Sequence, residues 1–332
     1  MIAILLLIAS AVGIYLACEY FVNGVEWAGV RLGVSKTAVG TVFAAFGTAL
    51  PESVVTFVAV VFGHGPAQKN IGVGAALGGP LALATVAYAV VGLTFLLSPR
   101  QGGALLLSQR VSIRLQNDQS WFLGIFVFKV VVGLLAFAWK PWLGIFFLLA
   151  YAIYVWHEMR RPDDGEGHED IEPLKFRPHD DNPSTAWALL QTGVALVVIF
   201  LCSQLFVHQL EVIGPWLGMS SQMVALLFSP IATELPEILN AVIWVRQGKQ
   251  ALAFGNISGA MMIQATIPSA LGIFFTPWML DPALVWAAGI TMVSMFGLSV
   301  LLRTGRLTPG RLASFAGFYL LFGFGLFQIG LR

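Results

Sequence analysis

Two short segments place a glutamate directly after a proline inside long apolar stretches: FGTALPESV at residues 46–54 and IATELPEIL at residues 231–239. A charged side chain within the hydrocarbon of a bilayer costs roughly 3 kcal/mol or more, so Glu52 and Glu237 are candidate functional groups. Proline removes a helix hydrogen bond where no water can replace it, which frees a backbone carbonyl. The two segments therefore predict two interrupted helices that carry carboxylates and free carbonyls, and Pro230 predicts a second break in the later helix.

Further oxygen ligands lie next to these glutamates. Thr48 and Thr233 precede them by four residues and share their helical face. Carboxylate, hydroxyl and carbonyl oxygens form hard sites that suit Ca²⁺ or Na⁺ better than soft metals. Glu234 adds a third carboxylate three residues before Glu237, and two carboxylates so close either hold a divalent cation or share a proton. The pattern predicts a cation site.

Five other polar residues within or near apolar stretches allow two interpretations each. Asn240, Asn256 and Gln264 are either cation ligands or amides that hold helices together by hydrogen bonds. Glu19 either lines an access path or lies at the membrane interface. Lys129 is interpreted as a side chain that snorkels towards the interface or pairs locally.

The composition identifies a membrane protein. Charged residues make up 11% of the 332 residues and hydrophobic residues 58%, whereas soluble domains carry about 25% charged residues. The sequence predicts an all-α integral membrane protein, multi-pass in a plasma or inner membrane, whose N-terminal apolar run is a first helix and not a cleaved signal peptide. Ten stretches are predicted transmembrane helices: 2–23, 37–63, 72–97, 119–138, 141–158, 185–210, 219–245, 251–276, 283–302 and 310–331.

The hydrophilic segment 159–184 divides the chain into halves of five predicted helices, 1–158 and 185–332. Fourteen Lys and Arg residues fall on the side of this segment and three on the other side, which predicts a cytoplasmic segment and both termini outside. The segment has eight carboxylates against four basic residues but lacks the ligand spacing of an EF-hand loop. It is interpreted as a solvated linker, with Ca²⁺ sensing as the alternative.

The two halves resemble each other. An offset of 185 pairs Glu52 with Glu237, and it also pairs LGVS at 32–35 with LGMS at 217–220. In the following helix the offset is 181, which pairs the GxxxG glycines Gly74 and Gly78 with glycines of the second half. Because five is odd, the halves enter the membrane from opposite sides. This predicts an inverted-topology repeat, typical of secondary transporters, with the substrate site near the midplane where the repeats meet.

GTALPE and ATELPE, each followed by a glycine-rich helix, resemble the α-repeats of the cation/calcium exchanger superfamily, the sodium/calcium exchangers and their relatives. The resemblance covers nearly the whole chain. It implies antiport of Ca²⁺, or a similar divalent cation, against Na⁺ or H⁺, with Glu52 and Glu237 as the central pair. The expected site comprises Glu52, Glu237, Glu234, Thr48, Thr233, Asn240 and Gln264.

Several positions depart from the family pattern because they lack a side-chain oxygen: Ala49, Gly79, Leu83 and Ala260. Ligands are therefore concentrated in the second half, which predicts fewer Na⁺ sites than in a typical sodium/calcium exchanger. Protons on the Glu234/Glu237 pair are then a possible counter-ion.

Other function classes fit less well. The sequence has no HExxH, GxSxG or P-loop motif, so an intramembrane enzyme is not expected. A monovalent Na⁺/H⁺ antiporter or a cation channel on the same fold stays open. The expected partners are inorganic cations and the lipid bilayer, without nucleic acid or a prosthetic group, and a monomer is expected to suffice for transport. Cys18 and Cys202 lie within predicted spans and indicate no disulfide framework. The GxxxG glycines are interpreted as sites of close helix packing.

Overall fold

The computed structural model of the chain describes residues 2–31, 49–97, 107–159 and 172–330, and its regular elements in these ranges are helices. A 3₁₀ turn, Lys140–Trp142, precedes the fifth helix. The helices are α1 (Ile2–Arg31), α2 (Leu50–Val61), α3 (Pro66–Leu97), α4 (Gln109–Leu134), α5 (Leu143–Met159), α6 (Thr185–Trp216), α7 (Ser221–Thr233), α8 (Leu235–Arg246), α9 (Gln250–Phe275), α10 (Pro282–Arg303), α11 (Pro309–Ala313) and α12 (Ala316–Gly330).

Within the described ranges, seven helical stretches are long and apolar enough to cross a bilayer. They are α1, α3, α6, the α7–α8 pair, α9, α10 and the α11–α12 pair. Of the other predicted spans, α2 has 12 described residues, α5 has 17, and α4 begins with a polar third. The part of the second predicted span that precedes Ala49 lies outside the described residues.

Several helices extend further than the sequence predicts, and two of them do so by eight residues or more. α1 continues to Arg31 instead of ending at residue 23, and α4 begins at Gln109 instead of residue 119. The Ser108 side chain caps α4 by accepting a hydrogen bond from the backbone N–H of Val111 (3.3 Å). The hydropathy pattern locates only the apolar part of such helices, whereas their polar turns continue beyond the bilayer.

Of the two helix breaks predicted in the second half, the one at Pro236 is confirmed and the one at Pro230 is wrong. α7 ends at Thr233 and α8 begins at Leu235, so the break lies at Glu234, before Pro236. Pro230, predicted as a second break, lies inside the continuous helix α7. Its ring fits there because Gly78 of α3 faces it: a Cβ atom on Gly78 would lie 2.8 Å from Cγ of Pro230.

α3 packs very closely against α7. A Cβ atom on Gly74 would lie 2.3 Å from the carbonyl oxygen of Gln222, closer than two such atoms can approach. The close-packing interpretation of the first GxxxG motif is therefore confirmed. α3 also contains Pro80 and, directly after it, a π-helical turn over Leu83–Ala87. Such turns are rare and occur often at functional sites.

Most described residues of 159–184 are exposed, as the solvated-linker interpretation predicts, but the segment is also anchored to two helices. Leu174 is fully buried in a small apolar cluster with Ala28 of α1 and Ala188 of α6. Asn23 of α1 accepts a hydrogen bond from the backbone N–H of Lys175 (3.0 Å). Gln191 of α6 accepts one from Phe176 (2.8 Å). We call residues 172–183 the strap, because they lie across both helices.

Candidate cation site

Three glutamates are fully buried where helices begin or break. Glu52 lies in the first turn of α2, Glu234 at the break between α7 and α8, and Glu237 in the first turn of α8. The first turn of a helix presents unpaired N–H groups and the positive end of the helix dipole, which favours negative charge. The Leu-Pro-Glu sequence produces this arrangement, since proline suits the first helical turn and the glutamate follows it.

A continuous chain of hydrogen bonds joins two of these carboxylates. Thr233 Oγ1 lies 2.8 Å from Oε2 of Glu52 and 2.8 Å from Oε1 of Glu234. The amide of Gln264 in α9 donates to Oε2 of Glu234 (2.6 Å). Ser229 Oγ lies 3.4 Å from Oε2 of Glu52. Carboxylates of α2 and of the α7–α8 break thus meet across a single hydroxyl group.

The chain of hydrogen bonds through Thr233 determines whether a carboxyl group of the site must carry a proton. The Thr233 hydroxyl group carries one proton and can donate it to one acceptor at a time. The contacts with Glu52 and Glu234 are therefore both hydrogen bonds only when a carboxyl group carries a proton itself. The geometry suits a site that holds a proton when it holds no metal cation.

Two buried acceptor atoms next to this chain, Oε1 of Glu52 and Oε1 of Gln264, have no hydrogen-bond partner among the described residues. Buried oxygens are normally paired, so unpaired ones point to a missing donor or cation. Gly79 of α3 allows this arrangement, because a Cβ atom there would lie 2.8 Å from Oε1 of Gln264 and 2.9 Å from Oε1 of Glu234. The oxygens fit a hard cation.

The remaining predicted ligands take no part in the hydrogen bonds of this chain. Glu237 is fully buried and lies within electrostatic range of Cys18 in α1. Asn240 lies one turn further along α8 and lines a cavity. Thr48 lies outside the described residues. In the described part of the chain, no three His, Cys, Asp or Glu side chains converge tightly enough to hold a metal alone. A cation bound here would also need hydroxyl, amide or carbonyl oxygens.

A cavity of about 260 Å³ leads towards the site between α1, α8 and the strap. Pro51 and Pro236 lie at its inner end, next to the glutamates that follow them. Glu19 and Glu26 of α1 line it, as the access-path interpretation of Glu19 predicts. At the strap, Nζ of Lys175 lies 3.4 Å from Oε2 of Glu19. The cavity has an acidic wall and connects the proline-interrupted helices with the strap.

Comparison with known proteins agrees with this geometry. The profile of the family described as sodium/calcium exchanger protein matches residues 2–159 and 187–331. The chain belongs to this exchanger family.

Curated relatives of the exchanger match over most of their length. A putative antiporter, CaxA of Alkalimonas amylolytica, is 26% identical over 315 residues, which cover 94% of this chain and 92% of the relative. The inner membrane protein YrbG of Escherichia coli is 25% identical over 256 residues, 75% of this chain and 73% of that protein.

Solved structures show the same fold. An H⁺/Ca²⁺ exchanger, CAX, superposes with a TM-score of 0.76 at 16% identity, covering 98% of this chain and 82% of that one. The sodium-calcium exchanger NCX_Mj gives a TM-score of 0.59 at 18% identity, covering 96% and 97%. The predicted fold class, ten transmembrane helices in two inverted five-helix repeats, is confirmed. The protein is an integral membrane antiporter of this family and not a member of an enzyme family.

Sequence reasoning missed one residue near the exchanger's site and assigned no site role to another. Ser229 approaches Glu52, and its position four residues before Thr233 is the signal that could have found it. Lys129 of α4 is fully buried, so the snorkelling interpretation is wrong, whereas local pairing is confirmed. Its Nζ donates to the carbonyl of Ala76 in α3 (2.9 Å) and lies within electrostatic range of Glu52. A lysine in the middle of FVFKVVV was the available signal.

Proposed function

We propose that this exchanger exports Ca²⁺, or a similar divalent cation, in exchange for Na⁺ or H⁺ by alternating access. The observation that supports this best is the buried chain of Glu52, Thr233, Glu234 and Gln264 at two proline-associated helix starts. Two carboxylates this close repel each other unless a proton or a cation lies between them. A divalent cation satisfies both charges at once.

The proposed ligands divide between the halves. Glu52 and Glu237 are the central carboxylates, and Thr233 and Gln264 complete the coordination with a hydroxyl and an amide oxygen. Glu234 holds the exchangeable proton in the cation-free state, a role that its two-sided contact with Thr233 and Gln264 supports. Thr48 is the counterpart of Thr233. Asn240 is placed on the entry route, which agrees with its position in the cavity wall.

The same proposal covers topology. Both termini lie outside and segment 159–184 lies in the cytoplasm, as the distribution of Lys and Arg supports. The cavity next to the strap is then the cytoplasmic entrance, through which a cation reaches Pro51 and Pro236. Residues 1–158 and 185–332 are the two repeats, and one copy of the chain is sufficient for transport.

Flux measurements with the purified full chain in proteoliposomes test the proposal. We expect saturable ⁴⁵Ca²⁺ uptake that depends on an opposing Na⁺ or H⁺ gradient. Glu52→Gln and Glu237→Gln should each abolish it while the variants elute as folded protein, because a full negative charge facing the divalent ion is then lost in a low-dielectric site.

The competing functions predict different results. A channel would carry non-saturable flux without a counter-ion, and a monovalent antiporter would exchange Na⁺ for H⁺ without moving ⁴⁵Ca²⁺. Wild-type flux in either glutamine variant would contradict the assignment of the central carboxylates.

A further inference from the structure

α3 contains a carbonyl group that its own helix cannot satisfy. Pro80 lies inside the helix and has no N–H, so the carbonyl of Ala76, four residues earlier, loses its helical donor. In the membrane interior no water compensates for this loss. The ammonium group of Lys129 in α4 reaches that carbonyl at 2.9 Å. A carbonyl freed by proline is the kind of ligand that this fold offers to cations, and here an amino-acid side chain occupies it.

The hydrogen bond to the Ala76 carbonyl does not require a charged donor. A glutamine, serine or tryptophan side chain would donate to a carbonyl without the cost of burying an ammonium ion, which is several kcal/mol. Lys129 is fully buried, and its Nζ lies 4.8 Å from the centre of the Phe126 ring, whose face favours a positive charge. The face of the Phe126 ring and the Ala76 carbonyl both stabilise a positive charge, which a neutral donor would not need.

The negative charges of the buried glutamates explain why a charged donor is present at this position. Glu52 and Glu234 share the Thr233 hydroxyl group, and Glu237 is buried in the first turn of α8, so the three carry three negative charges when ionised. The Ala76 carbonyl that holds the ammonium group lies one turn before Gly79, where a Cβ atom would lie 2.9 Å from Oε1 of Glu234, and Lys129 also lies within electrostatic range of Glu52. With the ammonium group included, the sum is −2, which one divalent cation neutralises. Without it, a further monovalent cation would be needed.

We propose that Lys129 is a built-in cation of the transport site: its ammonium group takes the position of one monovalent ion and balances one of the three buried carboxylates. This inference rests on the proposed divalent-cation transport. It assigns to Lys129 a role in the number of ions carried in each cycle, and it predicts that removal of the charge opens a position for Na⁺ next to the buried carboxylates.

The test is Lys129→Gln in the purified full chain, since glutamine keeps a donor for Ala76 and loses the charge. ²²Na⁺ binding is measured at saturating Ca²⁺ and pH 6.5, so that the ammonium group keeps its proton while bound Ca²⁺ keeps the carboxylates ionised. We expect no Na⁺ bound by the Ca²⁺-saturated wild type and about one Na⁺ for each Lys129→Gln molecule. In proteoliposomes, the charge moved for each Ca²⁺ should shift by one elementary charge.

Two matched variants separate charge from structure. Lys129→Arg keeps the positive charge and should behave like the wild type. Lys140→Gln removes another buried lysine, which donates to the carbonyls of Leu135 (2.7 Å) and Trp278 (2.9 Å) outside the site, and should leave Na⁺ binding unchanged. If Lys129→Gln does not fold, Pro80→Ala combined with Lys129→Met restores the helical donor for Ala76 and gives the same readout.

The outcomes are distinct. A folded charge-removing variant that binds no additional Na⁺ and moves the same charge for each Ca²⁺ would overturn the role of Lys129. Absence of Ca²⁺ transport by the wild type would instead overturn the proposed function on which the inference depends.

Discussion

α3 and α9 occupy equivalent positions in the two repeats but approach the cation site in opposite ways. α3 comes close with its backbone, because Gly79 has no side chain to separate it from Glu234 and Gln264. α9 contributes a side chain, the amide of Gln264, at 2.6 Å from Glu234. Its repeat mate in α3 is Leu83, which has no polar atom.

The same difference occurs one element earlier. Glu234 stands at the break of the second half, whereas its mate Ala49 stands before α2 in the first half. The repeats share a backbone arrangement, a Leu-Pro-Glu helix start beside a glycine-rich helix, while the proposed ligands lie mostly in the second half. The comparison teaches that two halves of one chain can share the backbone of a candidate site and differ in its side chains.

The largest effect is expected where α3 presses its backbone against α7. Gly74→Ala places a Cβ atom 2.3 Å from the carbonyl oxygen of Gln222, and a backbone atom cannot move aside cheaply. We expect a loss of about 3 kcal/mol in the free energy of unfolding. The control is Gly193→Ala in α6, where a Cβ atom meets no described atom within 4 Å. Thermal unfolding in detergent measures both, and equal stability would contradict the tight α3–α7 contact.

Exchanging a residue for its repeat mate tests the side-chain half of the comparison. Gln264→Leu removes the 2.6 Å donor of Glu234 and should weaken divalent-cation binding by about 10- to 100-fold, as loss of a supporting hydrogen bond does at metal sites. Thr266→Val is the matched control, because the Thr266 hydroxyl donates only to carbonyls of its own helix, Met262 and Ile263. Calorimetric titration with Ca²⁺ compares them; similar affinities would show that Gln264 does not support the site.

A change at Glu234 tests whether this carboxyl group carries the exchangeable proton or binds the metal cation directly. Glu234→Ser removes one of the two carboxyl groups that share the Thr233 hydroxyl, so the cation-free site no longer needs a proton there. We expect the pH dependence of transport to weaken more than the divalent affinity. Ion binding and flux between pH 5 and 9 with Ca²⁺, Mn²⁺, Mg²⁺ and Na⁺ measure the two. Unchanged pH dependence with lost divalent binding would make Glu234 a direct ligand.

The smallest effect is expected from Gly79→Ala, which also introduces the mate's residue. The new Cβ atom would lie 2.8 and 2.9 Å from the ends of two flexible side chains, Gln264 and Glu234, which can withdraw by a few tenths of an ångström. We expect a stability change of about 1 kcal/mol and a several-fold loss of transport. Ala260→Gly in α9 is the reciprocal change. Unaltered flux in Gly79→Ala would show that the approach of α3 is not needed.

The sequence was sufficient for the fold because the features that determine it are local. Apolar stretches of bilayer length and the Leu-Pro-Glu pairs are visible without any long-range contact. The bridge from Glu52 to Glu234 could not be predicted, because the rotation of α7 about its axis decides whether Glu234 or Glu237 faces Thr233 and Glu52. The partner of Lys129 could not be predicted for the same reason, because Ala76 is identified only by knowing that α4 lies against the segment before Pro80.

The strap changes where the chain can be divided. The Gln191 amide of the second half donates to Oδ1 of Asn23 in the first half. Asn23 donates to the strap carbonyl of Glu172, and both side chains accept hydrogen bonds from strap N–H groups, so residues 172–183 hold α1 and α6 together. Leu174 adds an apolar contact, because it packs against Ala28 of α1 and Ala188 of α6. A two-piece version of the protein, made as separate polypeptides, should therefore be cut before residue 172. A cut within the strap would place the four backbone groups that bond to Asn23 and Gln191 at or near a free chain end. The connection between the repeats is therefore itself a part of the folded structure.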